Sequence, residues 1–291
     1  MLAQLFSVIA PVFVCAGIGF VWKRRGEPFD TDFIITLATV VGMPCLVFAT
    51  LVKVEMDAAA FRDMSAASLM TFVAFGVVSW AALKAWGLNL RAFWPGQVFA
   101  NFGNMGLPLC LLAFGQAGLA LAIIYFAIGV VLLFTIGYAV AAGAASIGRL
   151  VRMPLLYAVA AALAFIVLEA KPPAWVLATT ELVGDLTIPL MLIALGVSLA
   201  SLKVKSLARS IGLSVLRLGV GFGVGVATAW VFGLEGTARG VLIVESAMPV
   251  AVFAYLFAAR YDTEPGEVAG SIVVSTAISF ATLPALLWYV L

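Results

Sequence analysis

The sequence predicts an all-α membrane protein whose chain crosses the bilayer many times. Of its 291 residues, 65% are hydrophobic and 10% are charged, whereas a soluble chain is about 45–50% apolar and about 25% charged. Apolar runs long enough to span a bilayer recur along the whole length. The net charge is only +2 and the basic residues are scattered, which argues against a nucleic-acid-binding protein.

Ten spans are predicted from these runs, since a span needs roughly 20 apolar residues. The first is followed by Lys23, Arg24 and Arg25, which is the reverse of the order in a cleaved signal peptide. With ten spans, eleven of the 16 Lys and Arg residues fall on one side and four on the other, with Arg217 inside a span. The positive-inside rule then predicts an inner (plasma) membrane protein with both termini outside the cytoplasm. The spans lie at about 2–22, 32–52, 65–86, 93–114, 117–141, 154–169, 186–202, 209–232, 239–259 and 269–290.

The composition gives no sign of a cofactor or of an enzyme. There is no histidine, and Cys15, Cys45 and Cys110 are far apart in apolar runs, so neither a zinc site nor a haem site is predicted. The chain also lacks a G-x-S-x-G motif and paired carboxylates, which makes a membrane enzyme the weaker hypothesis. A sensor or a channel component is disfavoured as well, because no soluble signalling domain and no ring of charge is visible.

Four prolines inside predicted spans indicate an internal repeat. Pro189 follows Pro44 by 145 residues and Pro249 follows Pro108 by 141 residues, both close to half the chain. We therefore predict two five-helix repeats, at 1–145 and 146–291, with broken helices at matching positions. Because five is odd, the second repeat inserts upside down, which is the plan of many secondary transporters. The alternative is that these prolines are simple kinks, since proline is frequent in membrane helices.

The fourth predicted helix contains a segment that is a poor helix centre. Asn101, Gly103, Asn104 and Gly106 precede Pro108, and glycine and proline both disfavour a regular helix. We predict that this segment is unwound and that Asn101, Gly103, Asn104 and Pro108 contribute to a substrate site. The two asparagines can hold a ligand, or they can cap the half-helices.

Two carboxylates precede prolines in the second half. Glu245 lies inside an apolar run, next to Ser246 and four residues before Pro249, where a charge is costly and is therefore paired, protonated or functional. We predict that Ser246 and Pro249 belong to the substrate site and that Glu245 couples protons or cations, with a structural pair as the alternative. Asp185, four residues before Pro189, is a second coupling candidate or a partner of the helix dipole.

Two further features have alternative interpretations. Arg217, inside the eighth predicted span, either snorkels to the cytoplasmic face, meets an anion or pairs with a buried acid. The glycines Gly219, Gly221, Gly223 and Gly225 form overlapping Gly-x-x-x-Gly patterns, which indicate close helix packing.

At these motifs the chain resembles the auxin efflux carrier family, which includes the plant PIN exporters and many bacterial transporters. Many bacterial members carry an Asn four residues after the proline of helix nine, whereas this chain has Phe253. The resemblance extends over essentially the full length. The matching pieces are Asn101 with Gly106–Pro108, Pro189–Leu190 with Ala194–Leu199, Ala247–Pro249 with Phe257–Tyr261, and Ser275–Ala277 with Leu283–Pro284.

The resemblance implies a ten-helix inverted repeat in which helices one, two, six and seven form a scaffold. The remaining helices would form a moving transport unit, with broken helices four and nine crossing near Pro108 and Pro249. It also implies a homodimer and a small organic acid as substrate. Bacterial members are commonly labelled as permeases for malate, malonate or other organic anions.

We therefore expect a carrier for a small organic acid, of the dicarboxylate or auxin type, that works by alternating access. Its partners would be this substrate, the lipid bilayer, a second copy of the chain and possible coupling ions, H⁺ or Na⁺; uniport remains equally open. Asp185 and Glu245 are the candidate coupling residues, and Pro44 and Pro189 are expected to mark broken helices with a structural role. The alternative is a sodium-coupled carrier of the bile-acid type, which shares the crossing plan.

Overall fold

The computed structural model describes residues 2–53, 57–143, 153–168 and 170–291, and these residues fold into helices. Within these ranges no β-strand occurs, and a single antiparallel bridge joins Ala100 and Val250. The predicted boundary between the two repeats, at residues 145/146, lies outside the described residues. The α-helices are α1 Leu2–Arg24, α2 Thr31–Leu37, α3 Met43–Lys53, α4 Ala58–Ala85, α5 Leu90–Val98, α6 Leu107–Leu132, α7 Tyr138–Ala142, α8 Pro154–Val167, α9 Ala174–Ser201, α10 Leu207–Val231, α11 Gly236–Ser246, α12 Val252–Arg260 and α13 Pro265–Val290.

Seven helical segments in the described part of the chain are long and apolar enough to cross a membrane. Their outer surfaces carry large exposed apolar side chains, such as Val77, Leu182 and Trp230, which suit contact with lipid tails rather than water. The prediction of an all-helical polytopic membrane protein is therefore confirmed. The seven segments are Phe6–Arg24, Thr31–Lys53, Ala59–Ala85, Phe102–Ala142, Ala174–Ser201, Leu207–Val231 and Pro265–Val290.

Pro44 and Pro108 each follow a widened, π-helical turn. A proline has no N–H, so the carbonyl four residues earlier loses its hydrogen-bond partner and the preceding turn adjusts. These turns are Ala38–Gly42, which leads into α3, and Phe102–Gly106, which leads into α6. The helix continues through Pro44, so the break predicted there is a local widening instead.

The sequence prediction for α9 needs correction in two respects. The helix begins at Ala174, well before the predicted start at about 186, and it runs unbroken through Pro189 to Ser201. Neither glycine nor asparagine stands next to Pro189, so the backbone keeps its helical angles, as many membrane helices do around a proline. Pro189 therefore does not mark a broken helix.

Gly115 makes a sharp change of direction inside α6. Its backbone angles are φ 67° and ψ −159°, a conformation that glycine adopts without a side-chain penalty. The predicted boundary between the fourth and fifth spans, at 114–117, falls at this residue.

The helices pack in two groups that also contact each other, and close approaches at glycines mark the first group. In the first group, a Cβ at Gly196 of α9 would lie 2.7 Å from the backbone of Ala16 in α1, and one at Gly184 would lie 2.8 Å from Leu46 of α3. Helix α8 packs on α3 in the same group. The second group contains α4, α5, α6 and α10–α13, which contact one another.

Candidate functional site

The first break in the helical structure lies at residues 99–101, between α5 and the π-helical turn that leads into α6. The carbonyl of Asn101 accepts hydrogen bonds from the N–H groups of Met105 and Gly106, both at 3.2 Å. The segment predicted to be unwound is therefore partly so: the helix is interrupted at residues 99–101, and Gly103 and Gly106 lie within the wide turn that follows. Pro108, at the second position of α6, comes after the break rather than within it.

The second break lies at residues 247–251, between α11 and α12. It contains Pro249, and the N–H of Val250 donates to the hydroxyl oxygen of Ser275 on α13 at 3.1 Å. The N–H of Asn101 donates to the carbonyl of Pro249 at 2.7 Å, next to the bridge between Ala100 and Val250. The two breaks, distant in the sequence, thus contact each other through their backbones, and we refer to them as the paired breaks.

A cavity of about 280 Å³ lies beside the paired breaks. Its wall includes both helix groups, because α3, α8 and α9 contribute as well as α6 and α12. Among the described lining residues, Thr39, Asn101 and Asn104 carry polar side chains and none is charged. The lining residues are Thr39, Val40, Met43, Ala100, Asn101, Phe102, Gly103, Asn104, Phe126, Val130, Leu133, Phe134, Met153, Pro154, Leu155, Met191, Ala251 and Phe253.

The amide of Asn101 is the most distinctive polar group of this cavity. The residue is 3% exposed, yet its Nδ2 has no hydrogen-bond partner among the described residues. A buried donor without a partner costs free energy, which a ligand oxygen would recover. Asn104 is half-buried, and Gly103 between them allows the ring of Phe126 to approach, since a Cβ there would lie 2.8 Å from its Cε2.

Three of the predicted substrate residues therefore line this cavity, namely Asn101, Gly103 and Asn104, and three do not. Pro108 and Pro249 are buried outside the lining, and Ser246 ends α11 with a buried hydroxyl that lies close to the hydroxyl of Tyr125. Sequence reasoning missed the apolar lining residues of α6, α3, α8 and α9, such as Phe126, Met43 and Met191. Such apolar side chains give no sequence signal, because they look like ordinary membrane-helix residues.

Glu245 is fully buried but lies away from the cavity lining. The thiol of Cys110 donates to its Oε1 at 3.6 Å, and its Oε2 has no partner among the described residues. Gly106 makes room for this carboxyl, because a Cβ there would lie 2.6 Å from the Glu245 Cδ. No ion pair among the described residues includes Glu245.

Asp185 does not line the cavity beside the paired breaks. It is exposed, in the interior of α9 rather than at its start, so a role as partner of the helix N-terminus is wrong. It lines a separate cavity of about 490 Å³ together with Lys53 and Glu181, which form an ion pair of 2.7 Å.

Arg217 reaches neither the surface nor a carboxylate. It is 1% exposed and donates to the carbonyls of Gln97, Ser246 and Met248. The prediction that it snorkels to a membrane face is therefore wrong. The predicted close packing holds for Gly221 and Gly225, where a Cβ at Gly225 would lie 2.8 Å from the Ser246 Cβ. A Cβ at Gly219 or Gly223 would meet nothing within 4 Å.

The described residues contain no group of three His, Cys, Asp or Glu side chains that could hold a metal ion. What they form is a polytopic helical membrane protein with a small, mostly apolar cavity beside two interrupted helices. The family model described as "Membrane transport protein" matches the chain twice, over residues 4–148 and again over residues 145–289. The chain belongs to this family of membrane transport proteins, and the resemblance to auxin efflux carriers is confirmed.

Two archaeal relatives agree with this assignment. The chain is 26% identical to an uncharacterized transporter of Methanothermobacter thermautotrophicus over 298 aligned positions, which cover 98% of this chain and 97% of the relative. It is 24% identical to an uncharacterized transporter of Methanocaldococcus jannaschii over 208 positions, 67% of each chain. The family and both relatives are transporters rather than enzymes.

Proposed function

We propose that this protein is a secondary or facilitative transporter of small organic acids, which it binds in the cavity beside the paired breaks. The single observation that carries this proposal is Asn101, which lines the cavity and whose buried Nδ2 has no hydrogen-bond partner among the described residues. An amide N–H is a suitable donor to a carboxylate oxygen. The first turn of α6 adds the positive end of a helix dipole nearby.

The proposed architecture is ten transmembrane helices in two inverted repeats, with broken helices four and nine crossing at the paired breaks. The double match of the family model, at residues 4–148 and 145–289, supports a repeat that covers the chain. The packing of α9 on α1 and α3, and of α8 on α3, supports a scaffold, which α6 and α13 contact. Alternating access would then be a movement of one group against the other around the cavity that both line.

The lining of the cavity favours an auxin-type monocarboxylate over a dicarboxylate as substrate. A dicarboxylate carries two charges, and the described lining residues offer no cation to balance them. Phe134 and Phe253 instead place two rings 6.0 Å apart at the cavity wall, a surface suited to an apolar or aromatic body. We therefore propose a monocarboxylate with an apolar body, of the auxin type, as the preferred substrate.

The proposed carrier has a defined orientation in the membrane, assembles as a homodimer and couples transport to protons. The positive-inside rule supports an inner-membrane protein with both termini outside, and the resemblance supports a homodimer through the scaffold. Glu245 is the proposed proton carrier, since a buried carboxyl without a cation partner is costly to leave charged. A sodium-coupled carrier of the bile-acid type is the alternative.

Counterflow in proteoliposomes tests the proposal. Vesicles containing the purified protein and loaded with unlabelled indole-3-acetate are expected to accumulate the labelled acid faster than empty vesicles. The same vesicles loaded with malate give the comparison with a dicarboxylate, and replacing Na⁺ by K⁺ separates the alternative carrier. Absence of counterflow with any organic acid of a broad panel would contradict the proposed function.

A further inference from the structure

The guanidinium of Arg217 holds the carbonyl ends of both interrupted helices. Its Nη1 donates to the carbonyl of Gln97, at the end of α5, at 2.6 Å. Its Nε donates to the carbonyl of Met248 in the second break at 3.1 Å, and its Nη2 donates to the carbonyl of Ser246, the last residue of α11. One side chain from α10 thus joins the end of α5 to the end of α11, the two helices that precede the paired breaks.

Carbonyl groups at the end of a helix attract a cation. The last carbonyls of a helix have no intrahelical partner, and they carry the negative end of the helix dipole. In carriers with interrupted helices, such carbonyls can coordinate a sodium ion. Here the planar, forked guanidinium satisfies two such carbonyls, of Gln97 and Ser246, together with the carbonyl of Met248 in the second break.

The surroundings of Arg217 fit a permanent cation without a counter-charge. The ring of Phe75 lies 4.6 Å from its Cζ, a cation–π arrangement. Among the described residues no carboxylate forms an ion pair with it. Gly221 lets α10 approach the end of α11, because a Cβ there would lie 3.3 Å from the Ala247 Cα. The positive charge is therefore matched by carbonyl dipoles.

We propose that Arg217 is a built-in cation that replaces an alkali ion at the paired breaks, so that the transport cycle requires no sodium there. This inference rests on the proposed function for its transport readout. Arg217 does not line the cavity, so it is a positioning residue that acts through the backbone. By fixing the ends of α5 and α11, it keeps Asn101 and Pro249 in contact.

Without the Arg217 side chain, activity is expected to depend on a cation added to the solution. Counterflow by the wild-type protein should be unchanged when Na⁺ is replaced by K⁺ or choline. Arg217→Ala should reduce counterflow by about tenfold or more, since hydrogen bonds to charged groups are lost. Millimolar guanidinium should restore part of this activity and raise the unfolding temperature of Arg217→Ala without changing that of the wild type.

Two variants make the test specific. Arg217→Lys keeps the charge but lacks the fork, so it should have intermediate activity and no response to guanidinium. Arg209→Ala removes an exposed arginine of the same helix, which pairs with Glu264 at 3.2 Å, and should behave as the wild type. A sodium requirement of the wild type, or full activity of Arg217→Ala in choline without guanidinium, would overturn the inference.

The thermal readout separates this inference from the proposed function. If no organic acid is transported, stabilisation of Arg217→Ala by guanidinium still supports the cation role, and its absence counts against it. If Arg217→Ala cannot be purified, the comparison moves to Arg217→Lys and to the sodium response of the wild type. A stabilisation of the wild type by sodium beyond that by potassium or choline would then overturn the inference, because the guanidinium should already occupy the carbonyls.

Discussion

The N–H of Asn101 donates to the carbonyl of Pro249 at 2.7 Å, although 148 residues separate them in the sequence. Both residues lie where a helix is interrupted, so this N–H and this carbonyl lack an intrahelical partner and find no water in a membrane. The N–H of the first break and the carbonyl of the second therefore satisfy each other's hydrogen-bonding requirement. Because the backbone of Asn101 is already engaged, its buried side-chain amide remains available to a ligand.

Replacing Asn101 by alanine tests the role of that amide. Asn101→Ala should weaken indole-3-acetate binding by about tenfold or more, because a hydrogen bond to a charged oxygen is lost. Its expression and unfolding temperature should stay close to wild type, since the backbone bond to Pro249 is kept. Thermal-shift titration and counterflow measure the two effects.

Asn89 provides a matched control for this experiment. Its side chain caps α5 by accepting from the N–H of Arg91 at 3.0 Å, and it does not line the cavity. Asn89→Ala should lower stability by about 1 kcal/mol and leave ligand affinity unchanged. Equal affinity of Asn101→Ala and the wild type would remove Asn101 from the site.

Phe253 is expected to set the preference between substrate types. Phe253→Asn removes a ring that packs on Phe134 with centroids 6.0 Å apart and adds an amide to the cavity. Affinity for indole-3-acetate should fall about tenfold, and malate should bind better than before. Phe253→Leu keeps the apolar volume and should retain the preference for the aromatic acid. An unchanged ratio of the two affinities in Phe253→Asn would argue against this role.

Glu245 is expected to carry the proton in any pH-dependent cycle. Glu245→Gln preserves the shape that fits against Gly106 and Cys110 but cannot exchange a proton. Counterflow by this variant should lose its dependence on pH while the protein stays folded. Cys110→Ala, which removes the thiol and keeps the carboxyl, should retain that dependence. A pH profile that survives Glu245→Gln would assign coupling elsewhere.

Two glycines of α10 distinguish close packing from helix flexibility. A Cβ at Gly225 would lie 2.8 Å from the Ser246 Cβ, whereas one at Gly223 would meet nothing within 4 Å. Gly225→Ala should therefore destabilise the protein by about 1–3 kcal/mol. Gly223→Ala should be neutral or stabilising by up to about 1 kcal/mol. Unfolding temperatures in detergent provide the comparison, and equal effects would contradict the packing described here.

Composition and hydropathy were sufficient to predict the membrane-spanning helical fold, and unusual residues within apolar runs predicted the region of the site. Asn101, Gly103 and Asn104 are conspicuous because lipid disfavours polar groups and helices disfavour glycine. The prolines were less reliable indicators. Pro189 lies in an unbroken helix, because a helix bends around a single proline unless neighbouring residues also favour another conformation.

The destination of Arg217 was not predictable from its position in the sequence. A buried arginine in a membrane helix usually pairs with an acid or snorkels. Here its partners are the carbonyls of Gln97 and Ser246, which lie close to it only in the folded chain because they end helices distant in sequence. The apolar cavity residues from the other helix group, such as Met43 and Met191, could not be predicted either, because only folding brings them to the cavity.

Protection of a cysteine in the cavity tests the central claim most directly. In a background in which the native cysteines are replaced by alanine, Ala251→Cys places a thiol in the lining beside Asn101, and Ala285→Cys places one in a separate groove. Indole-3-acetate should slow the labelling of Ala251→Cys by a thiol reagent and leave that of Ala285→Cys unchanged. If the acid is transported but protects neither position, or protects only Ala285→Cys, the cavity beside the paired breaks is not the binding site.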